Sequence, residues 1–178
     1  MDLGIKGRVG LVTGASRGLG RATADALAAE GVHLVLAARG EGALAEVAAA
    51  VKAAGVEVAT MAVDVTEPEA PQRLVDLAVD RFGSLDILVA NTGGPPPGRA
   101  LEVDDAAIVA ALNANLLTSI RLVRSAVPVM AERGWGRICC ITSYTVVQPI
   151  PTLALSNTAR VGLWGWAKTA ANDLANDG

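Results

Sequence analysis

The chain has 178 residues and a net charge of −3, from 15 basic and 18 acidic side chains. Apolar residues make up 52% and run through the whole length, which excludes disorder and provides for one domain with a real core. No basic excess draws it to nucleic acid, and no uninterrupted apolar run approaches the roughly 18 residues of a membrane span.

The opening, MDLGIKGRVGLVTGAS, has no signal-peptide layout, so a cytoplasmic protein is the expectation. RVGLVTG (8–14) reads as a strand entering a glycine turn, and GRATADALAAEG (20–31) as a helix closed by Gly31. VHLVLAAR (32–39) is a second strand, GALAEVAAAVKAAG (42–55) a second helix, and VEVATMAVD (56–64) a third strand. PEAPQRLVDLAVDRFG (68–83) is a third helix with prolines at its start, where they are tolerated. LDILVAN (85–91) is a fourth strand, residues 103–132 a long helical region, GRICCITS (136–143) a fifth strand, and residues 152–176 mostly helix.

The runs LVLAA, DILVA and ICCI do not alternate polar with apolar, and so read as strands buried on both faces. Strands of that kind alternating with helices predict a single α/β domain over 1–178: a doubly wound, Rossmann-type parallel sheet in three layers. The stiff loop GGPPPG (93–98) follows a strand directly, where ligand-facing loops lie in such sheets. Cys139 and Cys140 are adjacent on a strand, point to opposite faces and read as buried structural thiols. The single histidine, His33, excludes a His-rich metal site, and no nucleophile motif supports a triad through it.

TGASRGLG (13–20) lies between the first strand and the first helix. Gly14 permits a tight turn, while Gly18 and Gly20 let backbone approach a ligand and helix pack on strand. The helix amino end, with Ser16, Arg17 and Leu19 beside it, then offers N–H groups to a diphosphate. The second strand ends in Ala37, Ala38 and Arg39, with no acid before Glu41. Arg39 and Arg17 suit a 2′-phosphate, since the guanidinium fork donates two parallel bonds, so NADP is favoured over NAD.

These motifs resemble the classical short-chain dehydrogenase/reductase family, the type that includes 3-oxoacyl carrier-protein reductases. DVT (64–66) resembles its adenine-contacting element, which implies that Asp64 bonds the adenine amine and Val65 lies beside the ring. NTGG (91–94), with Asn91 and Gly93, resembles its Asn-Ala-Gly turn. NANL (113–116) resembles the segment that supplies the active-site asparagine, here Asn115, and ITS (141–143) the strand ending in the catalytic serine, here Ser143.

Two departures stand out. The family's Tyr-x-x-x-Lys is replaced by Ser156 and Arg160, and the one tyrosine, Tyr144, lies beside Ser143. An aliphatic hydroxyl is a far weaker acid than a phenol, so three readings stay open. The chain is a reductase whose oxyanion is held by Arg160, Ser143 and Ser156 with water giving the proton; or Tyr144 replaces the missing acid; or the chain binds a nucleotide without turnover, as a regulatory or scaffold subunit. On a strand Tyr144 would point away from Ser143, and it serves only if the strand has ended and a loop turns it back.

The chain also stops at Gly178, where the family continues with a sixth strand and a substrate-covering loop, so a fragment with an exposed edge at GRICCITS is expected. The resemblance implies a small carbonyl or alcohol substrate. It also implies a homodimer or homotetramer through the helices around 103–132 and 152–176. Of Trp164 and Trp166, two positions apart, either one lies in the core and one at a subunit contact, or both are buried within the monomer.

Overall fold

The aliphatic runs lie side by side, because each is followed by a helix that carries the chain back to the sheet's starting end. The computed structural model describes residues 3–178. The strands are β1 (Val9–Thr13), β2 (His33–Ala38), β3 (Val58–Ala62), β4 (Ile87–Ala90) and β5 (Arg137–Cys140); the helices are α1 (Gly18–Ala29), α2 (Glu41–Ala53), α3 (Ala70–Phe82), α4 (Asp105–Leu112), α5 (Thr118–Glu132) and α6 (Ala154–Asp173). All strand pairs are parallel, in the order β3-β2-β1-β4-β5. The order reverses between β1 and β4, which opens a crevice at the carboxyl ends of the strands.

Alternate residues of each strand face the two helical layers. Val9, Leu11 and Val35 pack with Leu74, Val75 and Ala78 of α3 and with Leu122, Val123 and Ala126 of α5. Val12, Leu34 and Leu36 pack on the other side with Ala24 and Ala28 of α1 and with Leu44, Val47 and Val51 of α2. At the amino ends of the strands Asp86, 2% exposed, accepts from the Val9 N–H (2.8 Å), from Arg8 Nη1 (3.3 Å) and from Ser84 Oγ (3.3 Å), and lies 3.7 Å from Arg133 Nε. That carboxylate ties β1, β4 and the end of α5 together.

Several expectations change. β5 is the edge strand, and Arg137 and Cys139 are exposed while Ile138 and Cys140 are only half-buried, so ICCI is not covered on both faces. Cys139 is therefore not a buried thiol; Cys140 is partly buried, and burial pushes its thiol up to about 11. The long helical region is not one uniform helix: a π-helical turn, Asn113–Leu117, separates α4 from α5. By length and composition alone Asp105–Glu132 could cross a bilayer, yet Leu122, Val123, Ala126 and Met130 hold it on the sheet. Trp166 packs against that core and Trp164 is 44% exposed, as one expectation had it for the monomer. His33 accepts from the Glu57 N–H (3.0 Å) and stacks on Phe82, a structural role.

Candidate functional site

The loop between β1 and α1 is shaped by what its glycines leave out. Gly14 and Gly18 have φ of +59° and +55°, which side-chain-bearing residues rarely adopt. Gly20 is buried, and a Cβ there would meet the Gly14 carbonyl and lie 2.9 Å from Asn91 Nδ2. The helix therefore starts close against the tips of β1 and β4. Those tips are joined by Thr13, whose Oγ1 donates to the Asn91 carbonyl (2.9 Å) and accepts from the Asn91 N–H (2.9 Å). Arg17, at the cap position, supplies no side-chain acceptor, and the first turn of α1 holds no acid. Its orphan N–H groups and positive dipole end face the crevice.

That crevice has a volume of about 470 Å³. Gly14, Ser16, Arg17, Gly18 and Leu19 line its floor, Arg39, Asp64 and Val65 one end, and Asn91, Gly93 and Asn115 the other. Leu19 is 67% exposed and overhangs the opening. Asp64 Oδ1 accepts from the Thr66 N–H (2.9 Å) and Thr66 Oγ1 (2.8 Å). Chiefly the backbone bond, then the hydroxyl and the nearby Arg39 charge, hold the Asp64 carboxyl below its ordinary range. Arg17 and Arg39 are exposed and make no ion pair among the described residues.

The other end is built around a buried amide. The π-helical turn places Asn115, 1% exposed, where its Nδ2 donates to the Ala111 carbonyl (3.4 Å) and its Oδ1 accepts from Thr92 Oγ1 (3.2 Å) and Arg160 Nη2 (3.2 Å). Arg160, 7% exposed on α6, also donates from Nη1 to the Ile141 carbonyl (2.7 Å) and the Thr142 carbonyl (3.0 Å). No carboxylate pairs with it among the described residues, and burial pulls its pKa down. Ser156, 8% exposed, stands one helical turn earlier with no hydrogen-bond partner among the described residues.

Ser143 follows the two carbonyls that Arg160 grips. Its Oγ accepts from the Thr145 N–H (3.2 Å) and Thr145 Oγ1 (2.9 Å), leaving its own proton free to donate. β5 has ended at Cys140, so strand alternation does not govern Tyr144; it opens a short 3₁₀ turn and its side chain is 66% exposed. The proline loop reaches across as well: the Gly98 N–H donates to the Thr152 carbonyl (2.8 Å), and the Ala154 N–H to the Gly98 carbonyl (3.1 Å). It is thereby pinned to the head of α6.

The fold thus brings together eleven of the anticipated residues around one crevice: Gly14, Ser16, Arg17, Gly18, Leu19, Arg39, Asp64, Val65, Asn91, Gly93 and Asn115. Gly20 lies beneath them. Ser143, Ser156 and Arg160 stand behind the Asn115 end rather than on the lining. Thr92, Thr66 and Gly98 lie in the motifs NTGG, DVT and GGPPPG, but no role of their own was anticipated for them. Thr92 sits where the resembling motif has alanine, and that substitution was the one available signal.

A parallel sheet of this order, with a glycine turn and an uncapped helix at its switch point, defines a Rossmann-type α/β protein. Residues 8–178 match the family model described as short chain dehydrogenase. The chain is 34% identical over 174 residues to the ketoacyl reductase HetN of Nostoc sp., covering 98% of this chain and 61% of that protein. It is 32% identical over 169 residues to dehydrogenase/reductase SDR family member 4 of Bos taurus, covering 94% and 61%. Among solved structures, L-sorbose reductase from Gluconobacter frateurii, complexed with NADPH and L-sorbose, is 36% identical with a TM-score of 0.95, covering 99% of this chain and 68% of that one. NAD⁺-bound xylitol dehydrogenase is 31% identical with a TM-score of 0.92, covering 97% and 67%. The chain belongs to the short-chain dehydrogenase family, and it spans about three fifths of the length of the curated relatives it matches.

Proposed function

We propose that this chain binds NADP(H) and serves hydride transfer between the nicotinamide and a small carbonyl or alcohol substrate. The observation that carries the reading is the uncapped, acid-free amino end of α1 facing a crevice whose lining includes Arg17 and Arg39. The residues fit a dinucleotide: a Cβ at Gly18 would meet nothing within 4 Å, so space lies open above the helix start. The N–H groups there would hold the diphosphate, Arg39 and Arg17 the 2′-phosphate, and Asp64 and Val65 the adenine. Asn91 and Gly93 would border the nicotinamide. The relatives' names include both an NADPH complex and an NAD⁺ complex; the two arginines, with no acid at the end of β2, favour NADP here.

A bound reduced nicotinamide would supply a hydride to the carbonyl carbon, and the carbonyl oxygen, as an alkoxide, would take a proton. This chain's residues would stabilise that oxygen by charge and hydrogen bonds. Arg160 is fixed by three oxygens and stays cationic, while Ser143 and Ser156 carry hydroxyl protons not committed to any acceptor. Neither a serine nor an arginine gives up a proton readily, so the proton would come from bulk solvent, relayed through water. Self-association through α4, α5 and α6 belongs to the same proposal, supported by exposed Val109, Leu117, Val161 and Trp164.

Fluorescence titration tests the cofactor. NADPH is expected to bind at least tenfold more tightly than NADH, and Arg39→Glu to reverse the order. Absence of binding by either nucleotide overturns the proposal. Tight NADPH binding without turnover on a broad carbonyl panel supports instead a nucleotide-binding regulatory or scaffold subunit. One observation favours that second reading: Arg160 is turned largely onto backbone carbonyls and Asn115.

A further inference from the structure

We propose that the Arg160–Ser156 corner is a carboxylate site, so that the substrate is an oxo acid carrying its own negative charge, rather than a neutral ketone. The inference rests on the reductase reading and narrows its substrate class: Arg160 and Ser156 then hold the carboxylate, and Ser143 with water is left to the alkoxide. Its starting point is a charge with no counter-charge: Arg160 is 7% exposed, and no aspartate or glutamate pairs with it among the described residues. A lone buried cation carries a desolvation penalty of roughly several kcal/mol, which neutral carbonyls offset only in part.

The donors left over point the same way. A guanidinium has five N–H groups. Arg160 makes three hydrogen bonds, two from Nη1 and one from Nη2, and Nε makes none. Ser156, 8% exposed, lies four residues earlier on the same face of α6, with its hydroxyl also unpartnered. Among the described residues the one side-chain polar atom both sealed from solvent and unpaired is Asn157 Oδ1. Ser156 Oγ and Arg160 Nε are therefore neither bonded nor fully sealed, and lie behind the crevice wall at Asn115 with donors to spare.

Unused N–H groups on a planar cation, beside a spare hydroxyl, match a carboxylate, which accepts two parallel bonds from the fork and a third from the hydroxyl. An alkoxide is negative only while the reaction proceeds. A cation clamped permanently by neutral partners discriminates most strongly for a group already negative when it arrives. Asn115 touches both the crevice and Arg160, so the corner adjoins the end where the nicotinamide would lie.

The test uses oxamate, an unreducible carboxylate, against neutral oxamide, by calorimetry on the NADPH-loaded chain. Oxamate is expected to bind and oxamide not to. Ser156→Ala should weaken oxamate about fivefold or more with an unchanged melting temperature, and Arg160→Met should abolish it. In turnover, pyruvate and acetoacetate should exceed their methyl esters at least a hundredfold in kcat/KM. Equal binding of oxamate and oxamide, no oxamate binding to a chain that holds NADPH, ester turnover equal to acid turnover, or Ser156→Ala binding unchanged, each overturns the proposal. Oxamate bound with no carbonyl turned over overturns the reductase reading and leaves the carboxylate site standing. Should Arg160→Met not fold, the oxamate–oxamide contrast and Ser156→Ala decide it.

Discussion

At the scale of single residues, neighbouring side chains divide sharply in environment. Cys139 and Cys140 are consecutive, but one is exposed and the other half-buried with its thiol pushed up to about 11 by burial. A thiol whose folded pKa is raised stabilises the fold fully below the unfolded value of 9.0. That contribution is lost as pH rises from there toward 11, because the unfolded chain ionises first. Stability should fall by about 1–2 kcal/mol across that window, after discount for partial exposure, and Cys140→Val should flatten the drop in pH-dependent denaturant melts. Iodoacetamide should label Cys139 before Cys140, which peptide mapping checks. The exposed edge at GRICCITS was expected from the sequence and is found; which of the two thiols would be covered was not legible, since both lie in one apolar run. The partners of Arg160 were equally hidden: they lie 18, 19 and 45 residues away and meet it only through the packing of α6.

At the scale of elements, the strand–helix alternation and the β1–α1 turn were legible, because glycine spacing and apolar runs are local signals that the tertiary structure reinforces. The ends were less so: α1 begins at Gly18 rather than Gly20, and α3 at Ala70 after Pro68, since capping geometry decides the first turn. The turn predicts an ordering among glycine substitutions. Gly20→Ala drives a methyl into the Gly14 carbonyl and should lower stability by about 3 kcal/mol or more. Gly18→Ala meets open space and carries only the strain of positive φ, about 1 kcal/mol. Urea melts check the ordering, and both variants should weaken NADPH binding. The π-helical turn at Asn113–Leu117 escaped the sequence because NANLL lies inside a longer apolar stretch that reads as continuous helix. Side chains just downstream hold it: Thr118 Oγ1 donates to the Asn113 carbonyl (2.8 Å) and Arg121 Nη1 to Asn113 Oδ1 (2.9 Å).

At the scale of the whole molecule, the two ends of the sheet do different work. The carboxyl ends hold the crevice; the amino ends hold the Asp86 network that joins three elements. Asp86→Ala strands the Val9 N–H and leaves Arg8 without its buried partner. It should cost about 1–3 kcal/mol by chemical denaturation, while the NADPH dissociation constant of the folded fraction stays within twofold. A loss of nucleotide affinity at unchanged stability would contradict this division.

The stitch between Gly98 and the head of α6 bears on how such a molecule breathes. Two main-chain bonds, set as between neighbouring strands, join the triple-proline segment to the helix that bears Ser156 and Arg160. The segment is thereby fastened to a helix that Leu155, Ala159 and Leu163 anchor in the core, and has little play of its own. A ligand arriving beside Gly93 and Gly94 would therefore meet a braced wall there rather than a hinge.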